Sequence, residues 1–84
     1  MKMEYSIKEV STHNNEYDCW LIAHKKVYNV TDLIQKHPIS SEPLIRKAGQ
    51  NCTQDYDFHS KSSQKKWEKY YIGYIKREKS CIIS

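Results

Sequence analysis

The sequence predicts a small α+β domain, and three observations lead to this prediction. Two adjacent segments, residues 19–23 and 27–31, have the apolar and β-branched composition of a pair of strands. Several short segments with helix-capping signals follow them, and residues 74–75 can form a closing strand. The 84 residues leave room for one domain, whose core is of the limited size that often needs a disulfide, a metal or a cofactor for support.

The first half of the chain is predicted to contain one helix and a β-hairpin. Ser6 stands three residues before Glu9, which is the spacing of a capping box at the start of a helix. Residues 19–23 form an apolar run bounded by polar neighbours, as in a buried strand, and residues 27–31 alternate as a second strand. The connection at residues 24–26 lacks the Asn-Gly or Asp-Gly pair that typifies a two-residue hairpin turn.

Two short helices are predicted after the hairpin. Thr31 or Asp32 caps the first, which stops before Pro38 because proline disfavours a helical conformation in the residue that precedes it. The second begins at residues 41–43, where a capping serine is followed by a proline in the first turn. Gly49 is predicted to end this second helix.

Two further helices and a strand complete the predicted domain. Thr53 caps a short helix, and a serine at residues 62–63 begins the last helix, on which Trp67 faces the core. Gly73 is predicted to end the last helix, and residues 74–75 follow it as a closing strand.

Cysteine content, hydropathy and charge bound the functional class. The three cysteines (Cys19, Cys52 and Cys81) are an odd number and no signal peptide precedes them, so we expect reduced thiols in an intracellular compartment. No window approaches the roughly 18 apolar residues that a membrane-spanning helix needs. The net charge is +4, and a late basic cluster suits an anionic membrane, a nucleic acid or a solvated face. The cluster consists of Lys61, Lys65, Lys66, Lys69, Lys76, Arg77 and Lys79.

Two histidines, His37 and His59, bracket a segment predicted to form two short helices and a turn. We expect these helices to form the walls of a slot with one histidine at each mouth. A zinc site is poorly supported, because neither histidine belongs to a close Cys/His pair and Cys52 is the only cysteine between them. The two histidines alone are also compatible with an ordinary surface location.

The neighbours of these histidines show that the chain resembles the cytochrome b5 family. The resemblance covers roughly residues 4 to 75, and its motifs occur in the family's order at nearly the family's spacings. These motifs are Tyr5-Ser6-Ile7-Lys8-Glu9-Val10, the strand pair from Asp18 to Thr31, His37-Pro38, Ala48-Gly49, Thr53, His59-Ser60 and Tyr70-Tyr71-Ile72-Gly73.

The resemblance implies a haem b held between two helical hairpins on a small mixed sheet, with His37 and His59 as axial ligands. Neutral imidazole is a good iron ligand, and the absence of a Cys-x-x-Cys-His sequence indicates that the haem is not attached covalently. In the same resemblance Trp20 fills a second, haem-free core. The expected pocket residues are Leu33, Ile39, Leu44, Ile45, Tyr56, Phe58 and, towards a haem propionate, Ser60.

The implied function is a small electron carrier and not an enzyme. Two protein ligands fill both axial positions, so none remains open for O₂ or a substrate. The resemblance implies a monomer that passes single electrons from a flavoprotein reductase to a membrane-bound oxidase or desaturase. Relatives usually present an acidic rim to such partners, whereas this rim is thin, with Glu42, Asp55 and Asp57 as its main members.

The sequence departs from the family pattern at three places. Ile39-Ser40 replaces two glycines that usually follow the first ligand, and a β-branched residue cannot adopt a positive φ cheaply. The segment between Thr53 and His59 is one or two residues short. Pro43 stands where relatives tend to carry an aliphatic pocket residue.

The last four residues, Cys81-Ile82-Ile83-Ser84, match the C-a-a-X signal for prenylation, and a terminal serine favours farnesyl. Lys76, Arg77 and Lys79 lie just upstream and would supply the second, electrostatic membrane signal. The sequence therefore predicts a haem-binding domain over residues 1–75 and a basic, lipidated tail over residues 76–84. This tail would place the protein in the cytoplasm, on the cytosolic face of a membrane.

Three other functions remain open at this point. An interaction module of the same fold, with or without haem, is favoured by the altered turn at Ile39-Ser40. Seven tyrosines among many lysines suit stacking on a single-stranded nucleic acid, but the tyrosines stand at core-like positions, so no nucleic-acid partner is expected. An enzyme would need an open iron position or a catalytic pair, and no such constellation is visible.

Overall fold

The computed structural model describes residues 3–37 and 41–76 and confirms the predicted α+β class. Its elements are β1 (Met3–Tyr5), α1 (Ile7–Ser11), β2 (Asn14–Asn15), β3 (Asp18–Ala23), β4 (Lys26–Asn29), α2 (Thr31–Lys36), α3 (Glu42–Arg46), α4 (Thr53–Phe58), α5 (Lys61–Trp67), a 3₁₀ turn (Glu68–Tyr70) and β5 (Tyr71–Ile75). Within the two described ranges, no helix is long and apolar enough to cross a membrane.

The five strands form one mixed sheet in the order β1-β5-β4-β3-β2. The β3–β4 hairpin was predicted, and it pairs antiparallel from Trp20 opposite Asn29 to Ala23 opposite Lys26. The closing strand β5 pairs antiparallel with β4 and parallel with β1. The two ends of the domain are therefore neighbours in the sheet, and the four helices α2 to α5 lie between β4 and β5 in the chain.

Gly73 does not end a helix, and that prediction is wrong. The last helix ends at Trp67, and Gly73 lies within β5, opposite Met3 of β1. A side chain at this position would collide with the carbonyl oxygen of Met3 and come within 2.8 Å of the Tyr5 ring. The glycine therefore permits the close approach of β1, and the aromatic and β-branched residues around it favour a strand.

The helix starts agree with the sequence only in part. Ser6 caps α1 as predicted, with its Oγ accepting a hydrogen bond of 3.0 Å from the Glu9 amide. Thr31 or Asp32 was predicted to cap α2, but α2 follows Val30 without a side-chain cap, and the Thr31 hydroxyl oxygen accepts from the Cys19 amide. The last helix was predicted to begin at a serine at residues 62–63, but the residue that caps α5 is Ser60.

Two asparagine side chains, from residues that pair with neighbouring strands, bond to the first residues of two helices. Asn29 Oδ1 accepts hydrogen bonds from the amide and hydroxyl of Thr31, the first residue of α2. Asn51 Oδ1 does the same for Thr53, which begins α4 without capping it. Each is the short asparagine-to-backbone bond that favours a turn. These two bonds fix how the chain leaves the sheet and enters the helical layer.

The chain segment between α3 and α4 returns to the sheet. Helix α3 ends at Arg46, so Gly49 does not end it as predicted but lies in the following turn, with φ of +76°. The Gly49 amide donates to the Trp20 carbonyl at 2.7 Å, and the Cys52 amide donates to the Ile22 carbonyl at 2.7 Å. This contact with β3 anchors the start of α4.

Two apolar clusters lie on the two faces of the sheet. The smaller contains Val10, Ile22 and Val27, with Trp20 packed against it as predicted. The larger lies under the helices and includes Leu21, Val30, Ile34 and Trp67 among its members. Most of the helical layer therefore packs on the larger cluster, which continues into the cavity described below.

Candidate functional site

A cavity of about 560 Å³ opens among helices α2 to α5. Its volume falls in the range of pockets that hold small organic ligands and cofactors. All four helices contribute to its wall, which carries apolar, basic and imidazole groups. The lining residues are Leu33, His37, Ser41, Pro43, Leu44, Arg46, Lys47, Cys52, Asp55, Phe58, His59, Ser63, Lys66 and Trp67.

The structure brings His37 and His59 to the same cavity. His37 follows the last residue of α2, and its amide donates to the Leu33 carbonyl at 3.0 Å. His59 follows the last residue of α4, and its amide donates to the Tyr56 carbonyl at 3.1 Å. Both side chains are exposed. The two histidines thus occupy equivalent positions, each held by the end of a short helix.

The four histidines of the chain fall into two pairs with different surroundings. His13 Nδ1 lies 2.8 Å from Asp18 Oδ2, and His24 Nε2 lies 2.6 Å from Asp57 Oδ1. Within residues 3–37 and 41–76, no side chain forms a hydrogen bond or ion pair with the His37 or His59 ring. The two cavity histidines therefore have ring nitrogens free to bind a ligand, while the other two are engaged by carboxylates.

Three of the predicted pocket residues line the cavity. Leu33 and Leu44 form part of its apolar wall, and Phe58, which is 89% exposed, lies at its mouth. Tyr56 and Ile45 do not line the cavity, although, like Leu33 and Leu44, they pack against the larger apolar cluster. Adjacent positions on a helix point about 100° apart, so Leu44 can face the cavity while its neighbour Ile45 does not.

Of the remaining predicted site residues, only Ser60 lies within the described part of the chain. Ser60 does not line the cavity but caps α5, its Oγ accepting from the Ser63 amide at 3.3 Å. Ile39 lies outside the described residues, as do Cys81, Arg77 and Lys79 of the predicted tail. The haem contacts assigned to Ile39, Ile45, Tyr56 and Ser60 stay predictions.

Trp67 and Cys52 are wall residues that sequence reasoning did not assign to the pocket. The Trp67 ring is buried and its centroid lies 5.9 Å from that of His59. On its other sides it meets Tyr28 and Tyr56 edge to face, at 5.3 and 5.1 Å. Its position could have been found from the spacing along α5, since Ser63 and Trp67 are four residues apart and share one helix face.

The two described cysteines are buried free thiols. Burial is the main cause that raises the pKa of Cys19 to about 11 and that of Cys52, which lines the cavity, to about 12, from an ordinary 9.0. Neighbouring negative charge on Asp18 and Asp55 adds to these shifts in pKa. Both thiols are therefore protonated at neutral pH and are poor nucleophiles there.

Alkylation is expected to be slow at both described thiols. At pH 8 the thiolate fraction should fall by about 100-fold for Cys19 and about 1,000-fold for Cys52 relative to ordinary thiols, because each unit of pKa above the solution pH costs a factor of ten. Iodoacetamide labelling followed by peptide mass spectrometry, with and without urea, measures this. Labelling of Cys52 in the native protein at the rate seen in urea would contradict the burial described.

The charges at the cavity are mixed. Arg46 forms an ion pair of 2.8 Å with Glu42, one helical turn away, and Lys47 lies 3.7 Å from Asp55. Lys66 on α5 has no ion-pair partner among the described residues. The cavity edge is thus mildly basic, in agreement with the thin acidic rim expected from the sequence.

The side chains available as metal ligands fit a bound group whose metal already has most of its coordination positions filled. No group of three or more His, Cys, Asp or Glu residues able to hold a metal ion occurs in the part of the chain that is described. A structural zinc ion needs four ligands, so two imidazoles are insufficient for it. Iron in a porphyrin needs only axial ligands from the protein, and two open imidazoles on an apolar cavity meet that need.

Comparison with known proteins agrees with this chemistry. The sequence model described as "Cytochrome b5-like Heme/Steroid binding domain" matches residues 6–76. Over 73 residues the chain is 38% identical to cytochrome b5 isoform B of Arabidopsis thaliana and 42% identical to the seed isoform of cytochrome b5 of Nicotiana tabacum, covering 84% of this chain and 54% of each relative. The chain thus spans about half the length of these curated relatives.

Similar segments also occur within a larger enzyme and in solved structures. It is 37% identical over 70 residues to nitrate reductase [NADH] 2 of Arabidopsis thaliana, covering 82% of this chain but only 8% of that protein. Cytochrome b558 of Ectothiorhodospira vacuolata, described as a prokaryotic homologue of cytochrome b5, superimposes with a TM-score of 0.78 at 25% identity, over 88% of this chain and 99% of that one. Cytochrome b5 of Ostreococcus tauri virus 2 gives 0.75 at 32% identity, over 86% and 95%.

Proposed function

Since the chain belongs to the cytochrome b5 family, we propose that it holds one non-covalent haem b with His37 and His59 as axial ligands and carries single electrons. The observation that supports this most strongly is the contrast among its histidines. His37 and His59 share one cavity and have open rings, whereas His13 and His24 are bound to carboxylates.

The residues of the cavity suit this cofactor. Haem bound here would supply an iron couple that gains and loses one electron. A neutral imidazole from each of His37 and His59 would hold the iron through one ring nitrogen. With both imidazoles engaged by the bound group, the chain would leave no place for O₂ or a substrate, which favours an electron carrier over an enzyme.

The cavity walls would exclude water from the bound group and position it. Leu33, Leu44 and the buried Trp67 present apolar surface towards the bound group and limit solvent around it. Lys66, which lines the cavity, offers a cation to a ligand carboxylate. Cys52 is one protonated thiol without a second cysteine beside it in the sequence, consistent with non-covalent attachment.

The proposed partners are a flavoprotein reductase as donor and a membrane-bound oxidase or desaturase as acceptor. Rim charges chiefly set the rate of encounter. The pairs Arg46–Glu42 and Lys47–Asp55 neutralise much of the charge at the cavity edge. We therefore expect encounters that depend weakly on ionic strength. The carrier itself is expected to be a monomer. The alternative is an interaction module of the same fold that does not exchange electrons.

Voltammetry of the haem-loaded protein separates these functions. An electron carrier gives a reversible one-electron wave that oxygen and peroxide leave unchanged. An amplified catalytic wave on adding peroxide would indicate an enzyme with an open iron position. Absence of any wave from protein that has bound haem would favour the interaction module.

We also propose membrane attachment through the tail, by a farnesyl group on Cys81. In the chain as it stands, Cys81 is followed by two aliphatic residues and a serine, and Lys76, Arg77 and Lys79 precede it. One lipid chain binds membranes only marginally, so the nearby cations supply the second signal. The protein would then reside in the cytoplasm, at the cytosolic face of a membrane.

Expression in a eukaryotic cell with an N-terminal tag tests the tail. The wild-type chain is expected to gain the mass of a farnesyl group, lose the last three residues and appear in the membrane fraction. Cys81→Ser should remain soluble and unmodified, with Ser80→Ala as the matched control that keeps the lipid. Equal membrane fractions for wild type and Cys81→Ser would disprove lipid attachment at this cysteine.

A further inference from the structure

Gln64, in the middle of α5, uses its side-chain amide to hold the segment that carries His59. Its Nε2 donates to the Tyr56 carbonyl at 3.0 Å and to the His59 carbonyl at 3.2 Å. A glutamine amide has two N–H groups, so both bonds can form at once. The two acceptors are three residues apart, on either side of the point where α4 ends.

The bonded carbonyls are groups that the helix end leaves available. The last four carbonyls of a helix have no partner within it. Tyr56 lies in the last turn of α4, and its carbonyl also accepts from the His59 amide at 3.1 Å. His59 itself is extended, with φ of −74° and ψ of 151°, so its carbonyl points out of the helical pattern. Gln64 satisfies both carbonyls from α5.

Helix α5 therefore holds His59 from two sides. The backbone N–H of Gln64 donates to the Ser60 carbonyl at 2.9 Å. This bond lies next to the His59–Ser60 peptide unit that the Gln64 side chain holds. On the cavity face of α5, the Trp67 ring lies 5.9 Å from the His59 ring. Backbone and ring of His59 are thus both located by one helix.

We propose that Gln64 is a positioning residue for His59 as an axial ligand, an inference that rests on the proposed haem function. By fixing the peptide unit that follows His59, Gln64 sets the direction from which the imidazole approaches the iron. Gln64 does not line the cavity itself. Its effect would act through the end of α4, where it bonds to the Tyr56 and His59 carbonyls.

Three substitutions isolate this role. Gln64→Met keeps the length of the side chain but removes both donors. Gln64→Arg restores N–H donors on a longer side chain and serves as the rescue. Gln54→Met is the matched control, because Gln54 is an exposed glutamine of α4 that makes no hydrogen bond among the described residues.

The readouts are the haem dissociation rate, measured by transfer to apomyoglobin, and the low-spin electron paramagnetic resonance g values, which report imidazole orientation. Loss of two hydrogen bonds is expected to speed haem loss by about tenfold in Gln64→Met and to shift its g values. Gln64→Arg should return both quantities towards wild type, and Gln54→Met should match wild type. Unchanged values in Gln64→Met would overturn the positioning role.

Two further outcomes are distinguishable. Failure of the wild-type chain to bind haem would disprove the proposed function itself. If Gln64→Met does not fold, as judged by circular dichroism, nuclear magnetic resonance of the wild-type apoprotein decides the inference. The Gln64 side-chain amide should then exchange its protons at least about tenfold more slowly than that of Gln54. Equal exchange rates would overturn the inference.

Discussion

Replacing either His37 or His59 with alanine is expected to abolish stable, low-spin haem binding. Each substitution removes one of the two open imidazoles at the cavity. Losing even a residue that merely supports a metal ligand costs about 10- to 100-fold in affinity, so loss of a ligand should exceed about 100-fold in the haem dissociation rate. Optical titration of each apoprotein with haem and transfer to apomyoglobin measure the effect.

The other two histidines provide internal controls for this experiment. His13→Ala and His24→Ala remove imidazoles bound to Asp18 and Asp57, and both should retain the low-spin spectrum. His24 contacts α4 through Asp57, so its loss can change stability without changing the iron ligands. If His24→Ala lost the haem spectrum as completely as His59→Ala, ligation by His59 would not be supported.

Gly73→Ala is expected to cause a large loss of stability. The added methyl would collide with the Met3 carbonyl across the parallel β1–β5 pair. Overpacking of this kind costs about 1–3 kcal/mol or more, and backbone cannot move aside as a flexible side chain can. Because a domain of this class is stable by only about 5–15 kcal/mol, urea denaturation of the apoprotein should show a clearly lower midpoint.

A neighbouring substitution shows whether the effect is specific to the close approach. Tyr74 follows Gly73 in β5 and is exposed. Tyr74→Val keeps a strand-favouring side chain and should change the free energy of unfolding by only about 0.5 kcal/mol. A midpoint for Gly73→Ala equal to that of Tyr74→Val would contradict the contact between β1 and β5.

The fold could be predicted where its signals are local. Ser6 and Glu9 lie within one helical turn, and the β3–β4 hairpin joins neighbouring segments, so both were found. The β1–β5 pairing joins Met3 to Gly73 across almost the whole chain. Nothing near Gly73 in the sequence reveals that contact, so its glycine was assigned to a helix end, where glycine is also common.

The two histidines of the site were predicted, but several wall residues were not, for a related reason. His37 and His59 stand in short motifs that survive in this sequence, and the structure places both on one cavity. Which residues line the cavity wall depends on the direction in which each helical position faces. An error of one residue in the assigned helical register rotates that direction by about 100°. Trp67 was therefore assigned correctly to the core but not to the wall, and Ile45 to the wall although it packs in the core.

The central claim is that two histidines of one cavity hold a haem and leave no open iron position. Absorption spectra of the haem-loaded wild-type chain, oxidised and then reduced, test it most directly. We expect a six-coordinate low-spin spectrum in both states that carbon monoxide does not change. A high-spin spectrum, or a spectrum of the reduced protein that shifts on adding carbon monoxide, would contradict the claim.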